Sequence, residues 1–165
     1  MSWSLPTAAA TYTVDLAEDG AGLVLQDWSD QPARAWQPAA RQGFETDLDR
    51  LPSEFSALGS RQVRGADLVL DHGDGLVGAR LVWDGDRVDL LQDGPITRLT
   101  AVGRDTTGHL TVELVIETSL EHDVVRKWVT LANSGVSTLR LERAFGPAWE
   151  LPLGPGASID YLAGA

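Results

Sequence analysis

The sequence predicts an all-β fold, an antiparallel β-sandwich with little helix, and three observations carry that prediction. Leu110, Val112, Leu114 and Ile116 recur at period two, as do Val125, Val129 and Leu131, then Leu139 and Leu141, so each segment offers one apolar face. Strand-like and turn-like signals alternate at a spacing of about ten residues, which is the rhythm of a sandwich. The 17 Gly and 8 Pro lie scattered between short apolar runs and favour many turns. No self-similarity with a period of roughly 20–50 residues occurs, which argues against a propeller or solenoid.

Taken in order, the first strand signal is Thr11 to Leu16, where Tyr12, Val14 and Leu16 alternate with polar neighbours. Glu18-Asp19-Gly20 interrupts it before Leu23-Val24-Leu25, a hairpin pattern with Asp-Gly at the turn. From Ser29 to Gln42 no period persists, and the stretch reads as a loop with one helical turn around Ala33 to Ala40. Phe44 to Gly59 holds the one plausible short helix, but Pro52 tends to end or redirect it, so the segment is taken as irregular structure with aromatic anchors. Ala66, Leu68 and Leu70 form the next face, and Asp71-His72-Gly73-Asp74-Gly75 the next turn.

Ala79, Leu81 and Trp83 follow, then Asp84-Gly85-Asp86 as a turn and Val88 to Leu91 as a separate short strand. Asp93-Gly94-Pro95 precedes a strand at Thr97 to Val102. Leu110 to Thr118, Val124 to Ala132 and Thr138 to Phe145 then read as a three-stranded antiparallel meander, with Asn133-Ser134-Gly135 in its last break. Pro147, Pro152 and Pro155 punctuate the tail, and Ser158 to Leu162 is the last candidate strand.

At 165 residues the length suits a single domain with a substantial core. The formal charge of −11 makes nucleic acid and anionic membrane surfaces poor partners, because phosphate binding relies on an excess of Lys and Arg. Cysteine is absent, which removes disulfides, thiolate metal sites and Cys nucleophiles and leans towards a reducing compartment. No apolar run approaches the roughly 20 residues of a membrane span, and Met1-Ser2-Trp3-Ser4-Leu5 lacks the pattern of a signal peptide, so a cytoplasmic location is expected.

Few residues point to chemistry. Gly-x-Ser-x-Gly does not occur, and His72, His109 and His122 lie in or beside turns, where they read as solvated. Asp71-His72-Gly73-Asp74 lacks the spacing of a calcium loop, and no His-Glu-x-x-His is present, so neither metal nor cofactor is assigned. Glycosidases need two carboxylates across a sugar. Clusters such as Asp47/Asp49 and Asp84/Asp86 read instead as turn residues, and no catalytic residue is assigned.

The aromatics are more informative, since an indole stacks on the C–H face of a sugar while its N–H bonds a hydroxyl. Trp83, in register with Ala79 and Leu81, is expected in the core, and Trp149 with it. Trp128 has the opposite parity to Val125, Val129 and Leu131 and is expected to face outwards or a second layer. Trp28 and Trp36 lie in or beside the loop after the first hairpin, where binding residues concentrate.

Leu51-Pro52-Ser53-Glu54-Phe55, with Gly59 and Arg64, then Val129-Thr130-Leu131-Ala132-Asn133-Ser134-Gly135 and Leu141-Glu142-Arg143-Ala144-Phe145, resemble the N-terminal domain of the α-galactosidases of glycoside hydrolase family 36. The resemblance covers most of the chain from Thr11 onwards. It implies a supersandwich preceding a (β/α)8 barrel, where the family keeps the two catalytic Asp residues of a retaining mechanism. Neither Asp has a counterpart here, and the end at Ala165 reads as a domain shorter than the family's. The loop from Trp28 to Arg50 matches one that in the family can help close a neighbouring subunit's sugar pocket.

The resemblance therefore implies a non-catalytic scaffold and oligomerisation surface, with a catalytic barrel domain and further copies of the chain as partners. The alternative is a stand-alone carbohydrate-binding module for a galactoside. Trp28, Trp36, Glu54 and Trp128 are the candidate sugar or interface contacts.

Overall fold

A computed structural model of the chain describes residues 1–17, 20–30, 53–60 and 65–149. Among the described residues every regular element is a strand: β1 (Ser2–Pro6), β2 (Thr11–Leu16), β3 (Leu23–Ser29), β4 (Leu68–Asp71), β5 (Leu81–Asp93), β6 (Ile96–Asp105), β7 (Leu110–Ser119), β8 (Val125–Asn133) and β9 (Arg140–Ala144). They form a three-stranded sheet β1-β2-β3, a four-stranded sheet β5-β6-β7-β8 and a two-stranded ribbon β4-β9, all antiparallel. The expected Ala33–Ala40 turn of helix, Trp36 and the Ser158–Leu162 strand lie outside the described residues.

The core is shared by both larger sheets. Leu5, Tyr12, Val14, Leu23 and Leu25 from the first sheet, Leu68 and Leu70 from the ribbon, and Leu81, Trp83, Leu99, Ala101, Leu110, Val112, Leu114 and Ile116 from the second form one buried cluster. The period-two face of β7 is thus the inner face of a sandwich, as expected. Trp83 packs where β6 carries no side chain: it pairs with Gly103, and a Cβ there would stand 2.9 Å from the indole.

Three elements differ from the sequence reading. Residues Ser2–Pro6, assigned no structure above, form edge strand β1 along β2, with Leu5 fully buried. Asp84-Gly85-Asp86 does not end a strand; β5 runs through it as a bulge in which Asp84 to Arg87 stand against the single Val102. The Asp84 side chain accepts the Asp86 N–H at 3.0 Å, so a local Asx turn absorbs the extra residues without breaking the strand. Residues Thr138 to Phe145 do not complete a meander: β9 leaves β8 and pairs with β4, Leu70 facing Leu141. Asn133 redirects the chain there, its amide donating to Ser137 O and its carbonyl oxygen accepting from Gly135 N, so the break closes on itself instead of forming a tight hairpin.

Candidate functional site

Two strands and one irregular segment converge on a buried charged pair. Tyr12 on β2 and Trp28 on β3 are cross-strand partners. Ser53 bridges Val24, and the Glu54 N–H donates to Leu23 O at 2.8 Å, which extends the sheet by one short contact and turns Glu54 inwards. Across the sandwich, Lys127 on β8 stands opposite the fully buried Ile116 of β7. It has the same parity as Val125, Val129 and Leu131, so its side chain enters the core.

The Lys127 Nζ donates to Glu54 Oε2 at 2.8 Å, with 3% and 1% of the two side chains exposed. The Tyr12 hydroxyl donates to the other oxygen, Oε1, at 2.6 Å. The ammonium also donates to Ala148 O at 2.8 Å and stands 3.9 Å from the centroid of the Trp149 ring. Trp149 contacts Tyr12 edge-on (5.9 Å, 80°) and lies tilted against Trp28 (5.6 Å, 33°), and Tyr12 meets Trp28 edge-on at 5.7 Å. Burial, then the charge and hydrogen bond of Glu54, push the pKa of Tyr12 far above the ordinary phenol range, so the hydroxyl remains a donor.

Both Glu54 oxygens therefore hold donors, and the three directions of the ammonium are taken by a carboxylate, a carbonyl and an aromatic face. Such a closed constellation holds segments together and leaves no group poised to move a proton to a substrate. It ties β2, β8, residues 53–56 and the chain at Ala148–Trp149 to one point.

Of the residues singled out from the sequence, Trp28 and Glu54 meet here through Tyr12. Trp128 does not: it stands opposite Val115 on the outer face of the four-stranded sheet, half-buried, with the Arg126 guanidinium 5.3 Å from its ring centroid. Trp36 lies outside the described residues. Trp149 is not a core residue as expected; 42% exposed, it caps the pair from outside because the chain has already left the sheet at β9. Tyr12, Lys127 and Trp149 were not recognised as site residues from the sequence. The signal for Lys127 was a lysine at an inward strand position, which needs a partner for its charge.

The histidines also depart from expectation in one case. His72 is buried, since the turn after β4 closes through the Asp71–Val77 bridge and brings its Nε2 2.9 Å from Gly78 O, to which it donates. His109 is half-buried and His122 exposed. Among the described residues no group of three or more His, Cys, Asp or Glu side chains could hold a metal ion.

A second charged row crosses the outer face of the large sheet. Arg98, Glu117 and Arg126 are direct cross-strand neighbours. Arg98 donates through Nε (2.7 Å) and Nη2 (2.5 Å) to Glu117 Oε1, and Arg126 Nη2 donates to Oε2 at 2.6 Å. Burial works against ionisation of Glu117, but the hydrogen bonds and charges of Arg98 and Arg126 outweigh it and hold the carboxyl below its ordinary range.

The family model described as "Glycosyl hydrolase family 36 N-terminal domain" matches residues 14–165. The chain belongs to that domain family. Solved structures with the same fold include the galactosidase domain of alpha-galactosidase-sucrose kinase AgaSK, with a TM-score of 0.73 at 21% identity over 88% of this chain and 24% of that one. The GH36 alpha-galactosidase AgaB from Geobacillus stearothermophilus superposes with a TM-score of 0.72 at 18% identity, covering 88% and 23%. The alpha-galactosidase from Lactobacillus brevis gives 0.67 at 16% identity, covering 92% and 24%. A search of curated proteins finds no match. This family 36 domain thus spans about a quarter of the length of the solved relatives it matches. Its Lys127–Glu54 pair uses Glu54 from the Leu51–Phe55 segment on which the sequence resemblance rests.

Proposed function

We propose that this chain is a non-catalytic β-sandwich scaffold of an α-galactosidase-type glycoside hydrolase, working in the cytoplasm and offering surfaces on which a catalytic barrel and further copies assemble. The observation that carries the reading is the closed node at Lys127. A deeply buried acid and base satisfy each other, Tyr12 and Ala148, a design suited to fixing strands and not to turning over a glycoside. Membership of a family 36 N-terminal domain supports the same role.

Purified chain is expected to release no p-nitrophenol from p-nitrophenyl α-galactoside and to run above 17.7 kDa by light scattering. Release abolished by a single Asp or Glu substitution would overturn the scaffold reading. A clean monomer at high concentration would overturn its assembly part.

A second reading, galactoside binding by the sandwich itself, is favoured by one observation: Trp149 is 42% exposed and lies against Trp28. Titration with galactose or raffinose, followed by tryptophan fluorescence, tests it. A saturable shift lost in Trp149→Ala supports binding, and an unchanged spectrum up to about 50 mM sugar rejects it.

A further inference from the structure

We propose that the outer face of the four-stranded sheet carries a binding site for a small aliphatic carboxylate, held by Arg98 and Arg126. The site is a half-open groove of about 440 Å³ at the end of the sheet, where Leu91, Ile96 and Val124 supply apolar wall and Ser119 and His122 border the arginines. That volume lies in the range of small-molecule sites, roughly 300–1,000 Å³.

Sheet register explains why these side chains meet. Leu91, Arg98, Glu117 and Arg126 are successive cross-strand partners on β5, β6, β7 and β8, so one transverse row presents an apolar group and then plus, minus, plus. Glu117 fixes both guanidinium groups without exhausting them. Arg98 spends Nε and Nη2 on Oε1 and keeps Nη1; Arg126 spends Nη2 on Oε2 and keeps Nε and Nη1. The Trp128 ring beneath the Arg126 guanidinium restrains it further, which gives that outward tryptophan a positioning role.

Two arginines with fixed planes and spare donors match the paired oxygens of a carboxylate better than a neutral sugar hydroxyl. Asp93 also lines the groove, so with Glu117 the formal charges of two acids and two arginines balance there. On a chain of net charge −11 this is a place where an anion meets no net repulsion from the groove itself. Asp93 and Ile96 are partners at the β5–β6 turn, next to the Leu91–Arg98 pair on one side of the row. Arg126, on β8, lies at the opposite side and keeps more free donors. The carboxylate therefore lies between the two guanidinium groups, nearer Arg126 and within reach of the spare Nη1 of Arg98, and the aliphatic body lies along Leu91, Ile96 and Val124.

The test is a two-dimensional ¹⁵N NMR titration of the intact chain with 4-methylpentanoate, with 4-methylpentanamide as the uncharged isostere. Saturable shifts are expected at the backbone amides of Ser119, His122 and Val124 and at the Arg126 Nε–H with the acid, and not with the amide. Arg126→Gln is expected to weaken binding at least roughly tenfold with an unchanged fold-wide spectrum. Should that variant misfold, Arg98→Lys retains the charge but loses the planar fork, and the same loss is expected of it. No saturable shift with the acid up to about 50 mM, equal shifts with the amide, or wild-type affinity in the folded variants would each overturn the proposal.

Discussion

The Lys127 ammonium lies 2.8 Å from the Glu54 carboxylate across the sandwich, and the two residues reach that contact from strand β8 and an irregular segment 73 positions away. Buried pairs of this kind are costly to desolvate, and their partners depend on each other. Lys127→Met leaves the Glu54 charge buried with only Tyr12 to bond it, and is expected to destabilise the chain by about 3–5 kcal/mol. Glu54→Leu should cost a similar amount. The double variant is expected to recover most of that loss, and urea denaturation of all four proteins gives the coupling energy directly. Additive losses would show that the pair is not a unit.

Alkaline stability follows from Tyr12. Its folded-state pKa is raised above the ordinary 10.0 by burial and by Glu54, so above that pH the unfolded chain sheds the phenolic proton and the folded chain retains it. The contribution of this group is full below pH 10 and declines as the pH rises beyond it. Tyr12→Phe should be less stable at pH 7, having lost the bond to Glu54, yet show a flatter decline between about pH 10 and 11.

Acid stability follows from Glu117 with the opposite sign. Its folded-state value lies below the ordinary 4.5, so the stabilising effect is present above that pH and is lost as the pH falls through the lowered value. Glu117→Gln should therefore show a shallower loss of stability between about pH 5 and 3 than the parent chain. Because Arg98 and Arg126 are half-exposed or more, added salt should narrow the difference.

Gly103 makes room for an indole. A methyl group there meets Cδ2, Cε2 and Cε3 of Trp83 at 2.9 to 3.0 Å in a ring buried on all sides. Gly103→Ala is expected to cost about 1–3 kcal/mol by overpacking, and thermal melts followed at the Trp83 near-ultraviolet signal will register it. Trp83→Leu combined with Gly103→Ala should be milder than the sum of the two, since removing the ring removes the clash.

Much of the fold was legible because it depends on local alternation. Leu110, Val112, Leu114 and Ile116 announce a half-buried strand without reference to anything distant, and Gly94, at positive φ, marks the turn at Asp93-Gly94-Pro95. What failed was pairing at a distance. Nothing within Thr138 to Phe145 tells that its partner is Leu68 to Asp71, and nothing within Asp84 to Asp86 tells a bulge from a reversal. The site was half legible. Glu54 stood out within an apolar segment and Trp28 beside a long loop, but the node needs Lys127 and Trp149, one read over as a gap between Val125 and Val129, the other assigned to the core.

The pairing of β4 with β9 implies an order of folding. Everything between Asp71 and Arg140, including the whole four-stranded sheet, is looped out between the two strands of that ribbon. The sheet itself is three successive hairpins with short sequence separations, whereas the ribbon closes a long loop whose entropy is lost before its few contacts repay it. The hairpins are thus expected in the folding nucleus and the ribbon after it. Leu114→Ala should slow folding, and Leu141→Ala should chiefly speed unfolding in a stopped-flow chevron. The same sequence of events makes β9 the latest strand to lock, and so the place where this sandwich first reopens.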